Sequence, residues 1–256
     1  MTRSIQQLFN LNGKTALITG GSYGLGLQMA HALGEAGARI MLSASQADEL
    51  ETAMAELHDA GIDARWVAAD CAVEKDLEKL VSETLQRMGD VDILVNNAGS
   101  SWDVPAIDPS VDEWDRVMAL NVRGYFLLSQ LIGKQSMIGR GGRIINVACS
   151  SNTLACNTSQ GAVINFTQTL ACEWWQHGIN VNAICPGEGI SHLMAGTPAA
   201  LSEKRLAAAT PLNHLNHLGH AEWLKGISLL FASDAGKHIT GQWLAVDCGI
   251  HAAKEA

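Results

Sequence analysis

Eight residues near the start of the chain, Thr19-Gly20-Gly21-Ser22-Tyr23-Gly24-Leu25-Gly26, constrain its fold more than any other stretch. An apolar run, Thr15-Ala16-Leu17-Ile18, leads in, and an amphipathic segment from Leu27 to Ala36 leads out. A strand that turns over glycines into a helix leaves unpaired N–H groups at the helix start, beside the positive end of its dipole. That arrangement suits a phosphate or pyrophosphate. Gly20 is expected to make the tight turn, Gly24 to permit close backbone approach and Gly26 to pack the helix on the sheet. A glycine cluster alone also fits a plain strand–helix turn; strand before and helix after favour a dinucleotide.

The rest of the chain repeats the same alternation. Apolar, β-rich runs occur at Thr15–Thr19, Arg39–Ser43, Ala64–Ala69, Asp92–Val95, Arg143–Ala148, Asn180–Ile184 and Trp243–Val246. Helical patterns lie between most of them: Leu25–Ala36, Ala47–Ala60, Glu74–Met88, Val111–Met137, Ala162–His177 and Ala221–Ala232. Such alternation predicts right-handed crossovers and an α/β fold, a single Rossmann-type doubly wound parallel sheet of about seven strands with helices on both faces. No Pro/Ser-rich linker or repeat divides the sequence, so residues 1–256 read as one domain. Strand carboxyl ends, where ligands of such sheets sit, collect at Thr19–Gly26, Ser43–Gln46, Asp70-Cys71, Asn96-Asn97-Ala98-Gly99 and Pro186-Gly187.

Composition narrows the partners. A net charge of −9 without any basic run argues against nucleic acid and anionic membrane surfaces. No apolar segment approaches the roughly 20 residues that a membrane helix needs. Residues 1–10 lack a hydrophobic signal core, which leads to a cytoplasmic expectation. The six cysteines have no C-x-x-C spacing and read as reduced thiols.

Taken together, these motifs resemble the short-chain dehydrogenase/reductase family. The resemblance rests on Thr19–Gly26, Asp70, Asn96–Gly99, Leu120-Asn121-Val122, Gly142–Val147, Ile179–Gly187, Ile239–Gln242 and Val246–Gly249. It implies NAD or NADP as cofactor, a small-molecule carbonyl or secondary alcohol as substrate, and a homo-oligomer, tetramer or dimer. Cofactor contacts are implied at Gly20, Ser22, Tyr23, Gly24, Leu25, Gly26, Ser45, Asp70, Cys71, Asn97, Ala98, Gly99, Gln160, Pro186, Gly187 and Ser191. Catalytic positions are implied at Asn121, Cys149, Ser150, Cys156 and Gln160.

The departures fall on the chemistry. In the family a tyrosine passes the proton, a lysine four residues later lowers its pKa and holds the cofactor ribose, and a serine orients the substrate oxygen. Ser159-Gln160-Gly161-Ala162-Val163 aligns with the family's Ser-Lys-Gly-Ala-Val, which puts Gln160 at the lysine and Cys156 at the tyrosine. Cys149 stands where the serine belongs, with Ser150 and Ser151 after it, and the interval to Cys156 is short. A neutral amide cannot lower a neighbour's pKa as an ammonium does. Charge selection of the cofactor is also missing from its usual places, which hold Tyr23 and Ser43-Ala44-Ser45-Gln46.

Other residues invite chemistry, each beside a plainer account. Cys149 and Cys156 flank the short loop; a thiol at a helix start becomes nucleophilic, but no base stands beside either, and two tolerated small residues explain them as well. His214, His217 and His220 have helical spacing, yet a tandem Asn-His-Leu accounts for them and no metal is expected. Glu188 and His192 form a substitute acid–base pair or are solvated loop residues, and Trp102 lines the substrate pocket or covers the sheet edge. Three functions follow: an NAD(P)-binding oxidoreductase with an impaired or unconventional proton donor, a non-catalytic binding or scaffold subunit, and an enzyme of another class that reuses the pocket.

Overall fold

In β1 (Thr15–Thr19) every residue is buried, because helices cover both faces of the sheet. The computed structural model describes residues 2–100, 107, 108, 110–148, 154–187, 220–247 and 249. After a short capped helix α1 (Ile5–Phe9), the elements run β1, α2 (Gly24–Glu35), β2 (Arg39–Ala44), α3 (Ala47–Asp59), β3 (Ala64–Ala68), α4 (Glu74–Met88) and β4 (Ile93–Asn96). The second half carries α5 (Val111–Met118), α6 (Gly124–Ile132), β5 (Gly142–Val147), α7 (Leu154–Trp174), β6 (Ile179–Pro186), α8 (Leu224–Ala232) and β7 (Trp243–Val246). All seven strands pair in parallel in one sheet, ordered β3-β2-β1-β4-β5-β6-β7.

The period-two alternation of each strand divides the core in two. Ala16, Ile18, Ile40 and Val95 face one layer with Leu25 and Leu33 of α2, Leu50 of α3 and Phe231 of α8. Leu17, Met41, Leu94 and Ile144 face the other, with Leu77 and Leu80 of α4, Leu128 of α6 and Leu170 of α7. The chain builds outward from β1 to β3, then returns to start β4 on the other side of β1. That reversal opens a crevice between the carboxyl ends of β1 and β4, where doubly wound sheets bind ligands.

Two helices differ from the sequence expectation. α7 starts at Leu154, not at Ala162, and therefore carries both Cys156 and Gln160. Its buried stripe runs Ala155, Cys156, Ser159, Val163, Thr167, Leu170 and Ala171. The spacing is helical, but small and polar residues fill the first half, so no apolar periodicity marks it. The hydroxyls of Ser159 and Thr167 donate back to the carbonyls of Cys156 and Val163 at 2.7 and 2.8 Å, which satisfies them inside the core. The segment 111–137 is not one continuous α-helix. It widens into π turns at Ala119–Arg123 and Gly133–Met137. The glycines that follow and open these turns sit where a Cβ cannot go: at Gly124 it would lie 2.6 Å from the Cys71 carbonyl, and at Gly133 2.3 Å from the Trp174 ring.

Candidate active site and cofactor cleft

The glycine turn is held from below by β4. Thr19 Oγ1 accepts from the N–H groups of Asn97 and Ala98 at 3.0 and 3.1 Å and donates to the Val95 carbonyl at 3.3 Å. The Asn97 amide donates to the carbonyls of Thr19 and Gly20 at 3.0 and 2.9 Å. Gly20 turns with φ 61° and Gly24 enters α2 with φ 58°, both in the left-handed region. Gly26 closes the turn from behind, since a Cβ there would stand 2.2 Å from the Gly20 carbonyl oxygen. The N-cap residue of α2, Tyr23, makes no side-chain capping bond, which leaves N–H groups of the first turn to a ligand.

Above this turn lies a cleft of about 150 Å³. Gly20, Ser22, Tyr23, Leu25, Ser45, Asp70, Cys71, Asn97, Ala98 and Gly99, all expected contacts, line it. Gly24 and Gly26 do not; they shape the turn behind it. Pro186 and Gly187 lie farther along the sheet at the end of β6, where the Gly187 N–H pairs with the Val246 carbonyl at 3.1 Å. Glu49, from the first turn of α3, lines the cleft without having been expected there. Its Oε2 accepts from Ser22 Oγ at 3.0 Å. Burial, and then the Glu49 carboxylate, push the Tyr23 phenol above its ordinary range. The cleft therefore carries a carboxylate one helical turn past Ser45, at a residue the sequence reading did not single out. An acid four residues after Ser45 was the available signal.

The catalytic half is built on a buried polar chain. The Asn96 amide donates to Asn146 Oδ1 at 2.9 Å and Ser129 Oγ at 3.1 Å, and Asn146 passes on to Thr167 Oγ1 at 2.8 Å. These bonds fix α7 against β4 and β5. Asn121 sits in the π turn, a geometry that commonly re-aims a side chain at functional sites. Its Nδ2 donates to the Ser100 carbonyl and to Ser159 Oγ, both at 3.0 Å, and its Oδ1 accepts the Ser100 N–H at 2.9 Å. Asn121 thereby ties the segment after β4 to the helix that bears Cys156 and Gln160.

Cys156 is buried, at 3% exposure, so the nucleophilic thiol weighed from sequence has no open approach in this structure. Gln160 Nε2 donates to Cys156 Sγ at 3.7 Å. Gln160 Oε1 is buried and, among the described residues, accepts no hydrogen bond. Cys149, Ser150, Ser191, Trp102, Glu188, His192, His214 and His217 lie outside the described residues. His220 packs edge-on against Trp223 at 5.5 Å. Among the described residues no group of His, Cys, Asp and Glu is placed to hold a metal, and no helix is long and apolar enough to cross a membrane.

A family model described as short chain dehydrogenase matches residues 14–199. An NAD-dependent glycerol dehydrogenase of Listeria innocua is 32% identical over 94% of this chain and 95% of its own length. A sorbitol dehydrogenase of Cereibacter sphaeroides is 34% identical over 93% and 98%. Among solved structures, a gluconate 5-dehydrogenase of Burkholderia cenocepacia in complex with NADP and tartrate superposes with a TM-score of 0.84 at 30% identity, covering 97% of this chain and 99% of that one.

Proposed function

The chain belongs to the short-chain dehydrogenase family, and from that premise we propose that it binds NAD(P) and exchanges hydride slowly with a polyhydroxylated alcohol or its carbonyl. The observation that carries this reading is the cleft at the β1–β4 crevice, walled by the uncapped start of α2, Asn97, Ala98 and Gly99. The residues fit the group: Gly20 is backed against Asn97 and Ala98 so closely that a Cβ would meet them at 2.8 and 3.0 Å, which keeps the turn tight beneath a pyrophosphate. The names of the glycerol, sorbitol and gluconate dehydrogenases support a polyol or sugar acid as substrate class.

When bound, the nicotinamide ring gives or takes the hydride. The N–H groups of the first turn of α2 bind pyrophosphate, and Asn97 fixes the backbone that carries them. Asn121 orders Ser100 and α7. Gln160 Oε1, a buried acceptor without a partner, suits a ribose hydroxyl, so Gln160 keeps the binding half of the lysine's role. It cannot keep the other half, because a neutral amide does not lower the pKa of a proton donor. Cys156 is too short to put its sulfur where a tyrosine hydroxyl would reach. Positioned proton transfer contributes about 10²- to 10⁴-fold, and kcat is expected to fall short of a Tyr/Lys enzyme by a factor in that range.

The same pair supports a second reading, a subunit that binds cofactor without turning over. Titration with NADH and NADPH, followed by energy transfer from the tryptophans, tests what both readings share; no binding of either sinks both. Slow, enzyme-concentration-dependent NADH formation from glycerol, sorbitol or gluconate supports the oxidoreductase, and binding without turnover supports the second. The chain is also proposed to self-associate. Trp243 and Leu244 on edge strand β7 and Phe126 on α6 are exposed, at 42, 47 and 45%. Light scattering at the monomer mass would remove that proposal.

A further inference from the structure

We propose that Glu49 makes this protein select NAD over NADP, with its carboxylate as the acceptor for the adenosine ribose hydroxyls. The inference rests on the cofactor-binding reading and names the preference within it. Ser45, past the end of β2, is a short, exposed hydroxyl and leaves the ribose-side wall low. Glu49 fills that wall from the first turn of α3, half-buried, with its Oε2 held by the Ser22 hydroxyl at 3.0 Å. Ser22 is itself 7% exposed, so the carboxylate is anchored to the glycine turn rather than left to swing. Among the described residues Glu49 has no other hydrogen bond, which leaves Oε1 to accept from a ribose diol.

The charge around the cleft points the same way. Among the described residues its lining contains two carboxylates, Glu49 and Asp70, and no lysine, arginine or histidine. Tyr23 supplies a phenol, and the influence of Glu49 on it places the negative charge at the cleft mouth. A ribose 2′-phosphate brings about −1.5 to −2 charges and three acceptor oxygens. Facing Glu49 it would gain no cation and would take from Ser22 a donor already committed to the carboxylate. A ribose diol brings donors instead, and a carboxylate is an acceptor only.

The experiment is a set of tryptophan energy-transfer titrations with NADH and NADPH on the full chain and on Glu49→Gln and Glu49→Asp. The wild type should bind NADH at least about tenfold more tightly than NADPH. Glu49→Gln, which keeps shape and loses charge, should narrow that ratio to within about threefold, chiefly by tightening NADPH. Glu49→Asp retains the charge and should retain the preference for NADH. High salt should narrow the wild-type ratio by screening. Equal or tighter NADPH binding by the wild type, or a ratio that Glu49→Gln leaves unchanged, overturns the assignment and leaves cofactor binding intact. Failure of both nucleotides to bind overturns the cofactor reading itself. Glu49 lies at the surface end of α3, and circular dichroism melts of each variant separate lost selectivity from lost fold.

Discussion

Gly26→Ala is the most direct test of how tightly the glycine turn is built. A Cβ at position 26 would lie 2.2 Å from the Gly20 oxygen, 2.9 Å from the Gly20 carbon and 2.7 Å from Asn97 Nδ2. Ordinary contact begins near 3.4 Å, so the overlap with the oxygen exceeds 1 Å. Two of the three atoms are backbone, and the third is pinned by bonds to the carbonyls of Thr19 and Gly20. No flexible side chain is present to yield, so the start of α2 must move away from β1. Overpacking of this kind costs about 1–3 kcal/mol, against a gain of about 0.5–1 kcal/mol for alanine in a helix. The net loss is about 0–2.5 kcal/mol, or roughly 0–10 °C in Tm for a chain of this size. The functional loss should exceed the stability loss. The N–H groups that displacement moves are those offered to the pyrophosphate, so the NADH Kd should rise at least about tenfold. Calorimetry and tryptophan energy transfer read the two effects separately. A variant whose stability stays within about 0.5 kcal/mol of the wild type, with NADH affinity unchanged, would refute the close packing of Gly20, Gly26 and Asn97.

Three further outcomes follow from local environments. Gly161→Ala should stabilise the chain by about 0.5–1 kcal/mol, since its Cβ meets nothing within 4 Å on an exposed helical face; destabilisation with a change of mass in light scattering would place another copy of the chain on that face. Thr19→Val should cost roughly 2–4 kcal/mol in urea unfolding, because it strands the buried N–H of Asn97 and the half-buried N–H of Ala98; a loss below about 0.5 kcal/mol would show that these donors find other partners. Burial first, with nearby carboxylates adding, pushes the thiols of Cys71 and Cys185 up to about 12 from 9.0. Both therefore stay protonated at neutral pH, and iodoacetamide should modify exposed Cys172 before either of them. A raised thiol pKa adds stability that is complete below the unfolded value and is lost as pH climbs from about 9 to about 12, at up to about 1.4 kcal/mol per pH unit for each thiol. Urea midpoints of Cys71→Ala and Cys185→Ala should lose less than the wild type over that interval; parallel curves would contradict it.

The fold was legible because parallel strands buried on both faces read as unbroken apolar runs, and Thr15–Thr19 and Ile93–Asn96 do so. What escaped the sequence follows two physical patterns. The first two turns of α7, residues 154–161, were missed because their buried face is Ala155, Cys156 and Ser159, small residues that make no apolar stripe, with the Ser159 hydroxyl satisfied by back-bonding. Glu49 was missed although it stands four residues after Ser45, because its approach to Ser22 is set by where α3 packs against the glycine turn. Gln160 and Cys156 were legible as substitutions from alignment with the family's motif; the unpaired Gln160 Oε1 became evident only in three dimensions.

The residues that identified the family are largely those that hold the site's frame. Thr19 and Asn97 tie β1 to β4, Asn96 and Asn146 tie β4 and β5 to α7, and Asn121 ties Ser100 to Ser159. Each is buried, and each spends hydrogen bonds on the protein itself. Their presence therefore establishes a cleft of defined shape, and the same bonds would form whether or not a proton ever moved there. The groups that differ, Cys156 and Gln160, lie at the positions where the family needs a titrating hydroxyl and a cation. A frame made of backbone clamps tolerates such exchanges, because among the described residues the Gln160 side chain bonds only to Cys156 and neither side chain anchors a strand. On the proposed reading, binding and turnover are separable in this chain, and Cys156→Tyr with Gln160→Lys should raise turnover on a polyol by more than it changes the NADH Kd. A pair of substitutions that restored neither, in a chain that still bound NADH, would locate the defect in the interval between Cys149 and Cys156 rather than in the two side chains.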